Sequence, residues 1–182
     1  MTSCQSVAAR WVLAMLLQAV VFASLSHAAA LVAPNVVTIS PALVTAGQPN
    51  AASLKALGSD GFRAVIYLAP MTVMDAVREE AEIVRAQGLE FINIPIDFGE
   101  PTEAEFARFT ETMERLKGQK VLVHCQVNMR ASTFTFLYRV LTLHESPELA
   151  YEAVAKVWSP RGPWRQLVGA QLKKAGIAFD FY

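Results

Sequence analysis

Val123–Ser132 reads VHCQVNMRAS. The apolar run KVLV (Lys120–Val123) leads into it, and a thiol, Cys125, stands just beyond the end of that run. Four residues follow, Gln126, Val127, Asn128 and Met129, and then a guanidinium, Arg130. After Ala131 comes STFTFLYRVLTLH (Ser132–His144), a helical stretch with little polar surface. A continuously apolar strand suits the centre of a parallel sheet, where both faces are covered. A helix with so narrow a polar face is a buried one. The cysteine therefore marks the turn between a central strand and a buried helix. In open α/β sheets this carboxyl edge is where ligands bind.

The flanking sequence repeats the strand-then-helix rhythm. A strand is predicted over Val36–Ile39, then a turn at AGQPN, then a helix AASLKALGS capped by Asn50. Ala64–Leu68 is a second strand, DAVREEAEIVRAQG an amphipathic helix ending at Gly88, and LEFINIPI a third strand. PTEAEFARFTETMERLKG opens with a capping box, Thr102 with Glu105. Its Phe106, Phe109, Met113 and Leu116 fall on one helical face. SPELAYEAVAKVW and PWRQLVGAQLKKAG are two further helices, each with proline near its start. The alternation predicts an α/β sandwich with a largely parallel sheet.

A turn from strand to helix can aim successive N–H groups at one point, and the helix dipole adds positive potential there. A thiol at the mouth of such a nest ionises readily, its pKa falling from about 8.5 towards roughly 3.5–7.5. An arginine nearby presents two parallel donors that match a tetrahedral oxyanion. A thiolate held beneath an anion site is the arrangement for nucleophilic displacement at phosphorus.

VHCQVNMRAS resembles the active loop of the cysteine-dependent protein tyrosine phosphatases, particularly the dual-specificity-like bacterial branch. The resemblance extends to TAGQPNAASLKALGSDGFRAVIYLAP and FINIPIDFGEPT, and so covers about Val36–Leu143. It implies a three-layer sandwich around a central, mostly parallel sheet. It implies hydrolysis of phosphate monoesters through a cysteinyl-phosphate intermediate, without metal or cofactor. Cys125 would be the nucleophile and Arg130 the oxyanion clamp. His124 would orient the loop, Ser132 would offer its hydroxyl to the departing thiolate, and Asp97 would be the general acid. Glu100 and Glu103 are alternatives for that last role. Gln126, Val127, Asn128, Met129 and Ala131 would wrap the bound phosphate. The partners implied are a phosphorylated protein or a small phosphate ester.

The family places five residues between cysteine and arginine, whereas this chain has four, and Asn128 stands where the family has glycine. One residue of shift turns a helical side chain by about 100°. The shorter loop is expected to be tighter, with Ala131 and Ser132 in the first helical turn and Arg130 reaching inward from the loop itself. Asn is among the residues that best tolerate left-handed backbone. Rhodanese sulfurtransferases also use a four-residue gap, so a persulfide carrier on Cys125 is one alternative. A catalytically silent phospho-ligand-binding module is another.

The first thirty of the 182 residues carry one arginine, Arg10, no acid, and an apolar run from Trp11 to Leu25 ending in small residues. This is the pattern of a secretory signal peptide over residues 1–28, with the phosphatase-like domain at 29–182 and the product exported to a periplasm or secreted. Contact with a membrane is expected through that leader alone. Its removal leaves 15 of the 16 basic residues against 16 acidic ones. No basic tract suggests nucleic acid. It also removes Cys4, leaving Cys125 without an intramolecular partner. The remaining histidines show no metal-ligand spacing. WSPRGPW (Trp158–Trp164) reads as a packed corner, from which Arg161 and Arg165 could approach a substrate. The pattern leaves the oligomeric state open.

Overall fold

The computed structural model describes residues 31–180. The predicted leader lies outside the described residues. Five strands form one sheet: β1 (Val37–Ser40), β2 (Leu43–Ala46), β3 (Ala64–Tyr67), β4 (Glu90–Asn93) and β5 (Val121–His124). Their spatial order is β1-β2-β5-β3-β4, with β1 antiparallel to β2 and every other pair parallel. The central strand is the apolar run before Cys125. All four of its residues are buried, and it pairs with β2 on one side and β3 on the other. β2 was not foreseen. Its residues LVTA are less apolar than the other buried strands and sit between turn-forming residues.

Among the described residues, six helices cover the sheet: α1 (Ala51–Ala56), α2 (Glu80–Arg85), α3 (Glu103–Arg115), α4 (Met129–Leu141), α5 (Pro147–Ala155) and α6 (Pro163–Lys174). α4 packs on β2 and β5, with α3, α5 and α6 gathered about it, while α1 and α2 pair with each other. This is the expected three-layer arrangement. α3 begins as predicted, with Thr102 and Glu105 satisfying each other's backbone donors. Phe106, Phe109, Met113 and Leu116 all point into the core. Phe106 and Phe109 meet Phe134 of α4, which also meets Trp164 of α6.

Two helices differ from their predicted spans in ways that shape the site. α2 starts at Glu80, so Asp75–Glu79 form turns rather than its first helical turn. α4 starts at Met129, three residues earlier than its apolar periodicity suggests. Among the described residues, no helix is long and apolar enough to cross a membrane.

Candidate active site

Asn128 sets the loop. It takes up left-handed backbone (φ 70°) immediately before α4, turning the chain from strand direction into the helix. A side chain there is unusual, and this one is tied down: Nδ2 donates to the Asn35 carbonyl (2.6 Å) and to Thr45 Oγ1 (3.0 Å). On the other side Asn35 Nδ2 donates to the Val127 carbonyl (3.0 Å). The backbone N–H of Gln48 donates to the Gln126 carbonyl (2.9 Å). Gly47 allows that approach. A Cβ there would lie 2.6 Å from the Gln126 oxygen and 2.8 Å from Pro34 Cβ, so the glycine supplies space rather than unusual angles.

Cys125 is fully buried at the base of this loop, and its N–H donates to Ala46. The first intrahelical bond of α4 runs from the Ser132 N–H to the Asn128 carbonyl. The N–H groups of Met129, Arg130 and Ala131 precede it, so none has an acceptor within the helix. The positive end of a 13-residue helix thus faces the loop that carries the thiol.

Arg130 is the second residue of α4, not a loop residue as expected, and it is buried. The early helix start places it there. Its Nε donates to the Ile96 carbonyl (3.0 Å), Nη1 reaches Gln126 Oε1 (3.3 Å), and its guanidinium lies 5.2 Å from the centre of the Phe98 ring. The side chain therefore turns back over the loop towards the segment after β4 that carries Asp97. Gln126 spans the mouth, its Nε2 donating to Asp75 Oδ1 (2.8 Å).

His124 is buried behind the thiol, with Nε2 2.6 Å from Glu80 Oε1 and neither side chain exposed. The contact falls outside ordinary hydrogen-bond angles. Glu80 Oε2 accepts from Gln48 Nε2 (2.7 Å), and the Tyr67 ring stacks on the imidazole (centroids 4.6 Å apart). Burial holds the Tyr67 phenol well above its ordinary pKa, reinforced by the negative charges of Glu80, Asp75 and Cys125. Gln48 and Glu80 thereby brace both neighbours of Cys125. Gln48 holds Gln126 through its backbone, and Glu80 meets His124.

The remaining predicted residues are distributed unevenly. Asp97 is exposed, and its Oδ1 accepts from the Gly99 N–H (2.7 Å). Its neighbours Ile96 and Phe98 are the ones that touch Arg130. Ser132 is buried with its hydroxyl donating to the Met129 carbonyl (3.2 Å), not to the thiol. Ala131 is buried in the first turn, and Val127 is exposed on the loop. Glu103 pairs with Lys174 on the surface, away from the loop. No cluster that could hold a metal ion occurs among the described residues.

Glu80, Gln48, Tyr67 and Asp75 are site residues that the sequence reading passed over. Glu80 carried a signal. It lies three residues after Val77 and four before Val84, in phase with the apolar stripe of its helix. A carboxylate on a core-facing position needs a partner.

The profile of a family described as DSP-PTPase phosphatase fused to NAD+ kinase (PTP-NADK) matches residues 30–159. The chain belongs to that family. The PTP-NADK match covers every strand and the whole cysteine loop and ends before α6. Among solved structures, a candidate phosphatase of the DUF442 class from Shewanella putrefaciens CN-32 matches with a TM-score of 0.71. The two are 27% identical over 78% of this chain and 91% of that one. PTPMT1, solved in complex with PI(5)P, matches with a TM-score of 0.62 and 21% identity over 78% of this chain and 96% of its own. P. aeruginosa TpbA, solved in complex with pTyr, matches with a TM-score of 0.54 and 20% identity over 66% and 71%. No curated protein sequence matches the chain. PTP-NADK membership and these folds favour phosphatase chemistry over the sulfurtransferase alternative.

Proposed function

We propose that this protein is an exported phosphatase that hydrolyses phosphate monoesters through a cysteinyl-phosphate intermediate on Cys125. The observation that carries the reading is the pairing of a buried thiol with an arginine in the first turn of α4, across a loop that faces the helix N-terminus. The free N–H groups of that turn and the Arg130 fork supply donors for the equatorial phosphate oxygens. The Cys125 thiolate attacks phosphorus as the ester P–O bond breaks. The departing alkoxide takes a proton from Asp97. Water then attacks the phosphocysteine, giving its proton to the Asp97 carboxylate, and the S–P bond breaks to release phosphate and restore the thiolate. Ser132 supports that second departure if its hydroxyl turns from Met129 to the sulfur.

Phosphotyrosine and phosphoinositide headgroups, the ligands of the TpbA and PTPMT1 complexes, define the substrate classes to try first. Export rests on the leader pattern of residues 1–28. Purified protein lacking that leader should release phosphate from an aryl phosphate and none when Cys125 is alkylated. Sulfur transfer from thiosulfate to cyanide without phosphate release would replace this reading with the sulfurtransferase one.

A further inference from the structure

Two cavities flank the cysteine loop, and their charges are opposite. One, about 460 Å³, lies beside Gln48 and Asp75, and its charged lining residue is acidic. The other, about 470 Å³, lies between the Phe98–Gly99 turn, Met129 at the start of α4, and the corner formed by Trp158 and Arg161–Trp164. Its charged lining residue is a cation, Arg161.

The second cavity is built rather than incidental. Phe98, which stands under the Arg130 guanidinium, also meets Trp158 and Trp164 at 5.8 and 5.7 Å between ring centres. Both indole N–H groups are satisfied by the scaffold: Trp164 donates to the Phe98 carbonyl (2.8 Å) and Trp158 to Thr133 Oγ1 (3.2 Å). The rings are thus fixed, and their polar edges are already engaged. Gly162, at φ 55° and ψ −134°, turns the chain so that Pro163 can open α6 and leaves Arg161 exposed at the rim. Arg161 has no hydrogen bond or ion pair among the described residues. Its neighbour Arg165 is committed to Asp180.

We infer that this cavity is the subsite for the alcohol part of the substrate, and that it selects an aromatic phosphate monoester carrying a second negative charge. The inference rests on the phosphatase reading above. A phosphate held at Arg130 presents its ester oxygen towards Phe98, and a ring leaving it meets the fixed aromatic walls. An anionic substituent at the far side of that ring then reaches Arg161. A cavity of this size suits one ring with a short substituent. Arg161 and Trp164 lie beyond residue 159, where the PTP-NADK match ends, so this selectivity belongs to the chain's own C-terminal corner.

The test compares 4-carboxyphenyl phosphate with 4-(aminomethyl)phenyl phosphate. Turnover is measured on the protein with Arg161 intact and on Arg161→Glu. Binding of both probes is measured on Cys125→Ser, with and without Arg161→Glu. The ratio of kcat/KM, carboxylate over ammonium, should exceed one with Arg161 intact and fall about tenfold or more in Arg161→Glu, the size of one rim charge pair made and one reversed. Using the ratio between proteins cancels the difference in leaving-group acidity. The binding ratio on the Cys125→Ser background should fall in parallel. A ratio unchanged by charge reversal in both turnover and binding would overturn the subsite. Absence of turnover with an Arg161-dependent binding ratio would support the subsite and sink the phosphatase reading alone.

Discussion

The floor and the rim of the Cys125 loop are built from different materials. The floor is Glu80, His124, Tyr67, Asn128 and Thr45, all fully buried: Glu80 meets His124, the Tyr67 ring stacks on that imidazole, and Asn128 donates to Thr45. The rim is Asp75, Asp97, Phe98 and Val127, all exposed, with Gln126 half-buried across the mouth. Buried polar groups are costly unless each is paired, so the floor tolerates little change and fixes where the thiol sits. Exposed groups hold weaker contacts and can exchange them for a ligand. The difference teaches that the position of the Cys125 thiol is a folding property of this chain, whereas the groups proposed for proton delivery and selectivity sit on its surface.

Replacing Cys125 should separate the two most sharply. Cys125→Ser should lower turnover by about a thousandfold or more while leaving oxyanion affinity within a few-fold, because the donors are backbone and Arg130. Single-turnover phosphate release and equilibrium dialysis against phosphate check the two halves. Loss of anion binding in parallel with turnover would mean that the sulfur itself builds the anion site.

Glu80→Ala tests the floor. It leaves His124 and Gln48 buried without their partner and should cost about 3–5 kcal/mol of stability, read as a lowered denaturation midpoint. Arg115 and Glu90 offer the contrast, an ion pair at 2.6 Å with both side chains about half exposed. Arg115 holds the Glu90 carboxyl below its usual range through a hydrogen bond and charge. A depressed folded pKa gives stability that is present above the unfolded value and lost as pH falls through the folded one. The Arg115→Ala protein should therefore differ from its parent at neutral pH only slightly, and not at all at strongly acidic pH. A midpoint loss from Glu80→Ala no greater than that from Arg115→Ala would refute a braced floor.

Much of this division could be read in the sequence, and the unread part has definite causes. KVLVHC gave away the central strand because burial on both faces leaves a continuous apolar run. His124, Cys125 and Arg130 stood together in ten residues, and the structure sets them at the end of β5, in the turn after it and in the first turn of α4. β2 escaped because four residues of mixed polarity between turn formers carry no period. Gln48 follows β2, Tyr67 ends β3 and Glu80 opens α2, and only the folded arrangement brings them to the cysteine. The early start of α4 followed from Asn128, whose left-handed backbone is held by Asn35 and Thr45, partners more than eighty residues away.

On the rim the expected effects are smaller and depend on the substrate. Asp97→Asn should slow hydrolysis of a tyrosyl phosphate by about a hundredfold, and that of a highly activated aryl phosphate far less, because a good leaving group needs no proton. Asp75→Asn is the sharper comparison, since Asp75 touches the loop through Gln126 while the Asp97 carboxylate accepts from Gly99. If Asp75→Asn shows the leaving-group dependence and Asp97→Asn does not, the acid role moves to Asp75. Gln126→Ala, the smallest change, frees the Arg130 fork and should alter kcat/KM by no more than a few-fold.

The central claim is that Cys125 carries the phosphoryl group. Acid quench of the purified protein during turnover of an activated aryl phosphate, followed by mass spectrometry of the peptide spanning Val123–Ser132, reads this directly. The account predicts a phosphate adduct on Cys125 that forms within one turnover and disappears when substrate is exhausted. Phosphate release with no adduct on Cys125 at any time, or a persulfide there after thiosulfate with no phosphate adduct, would contradict it.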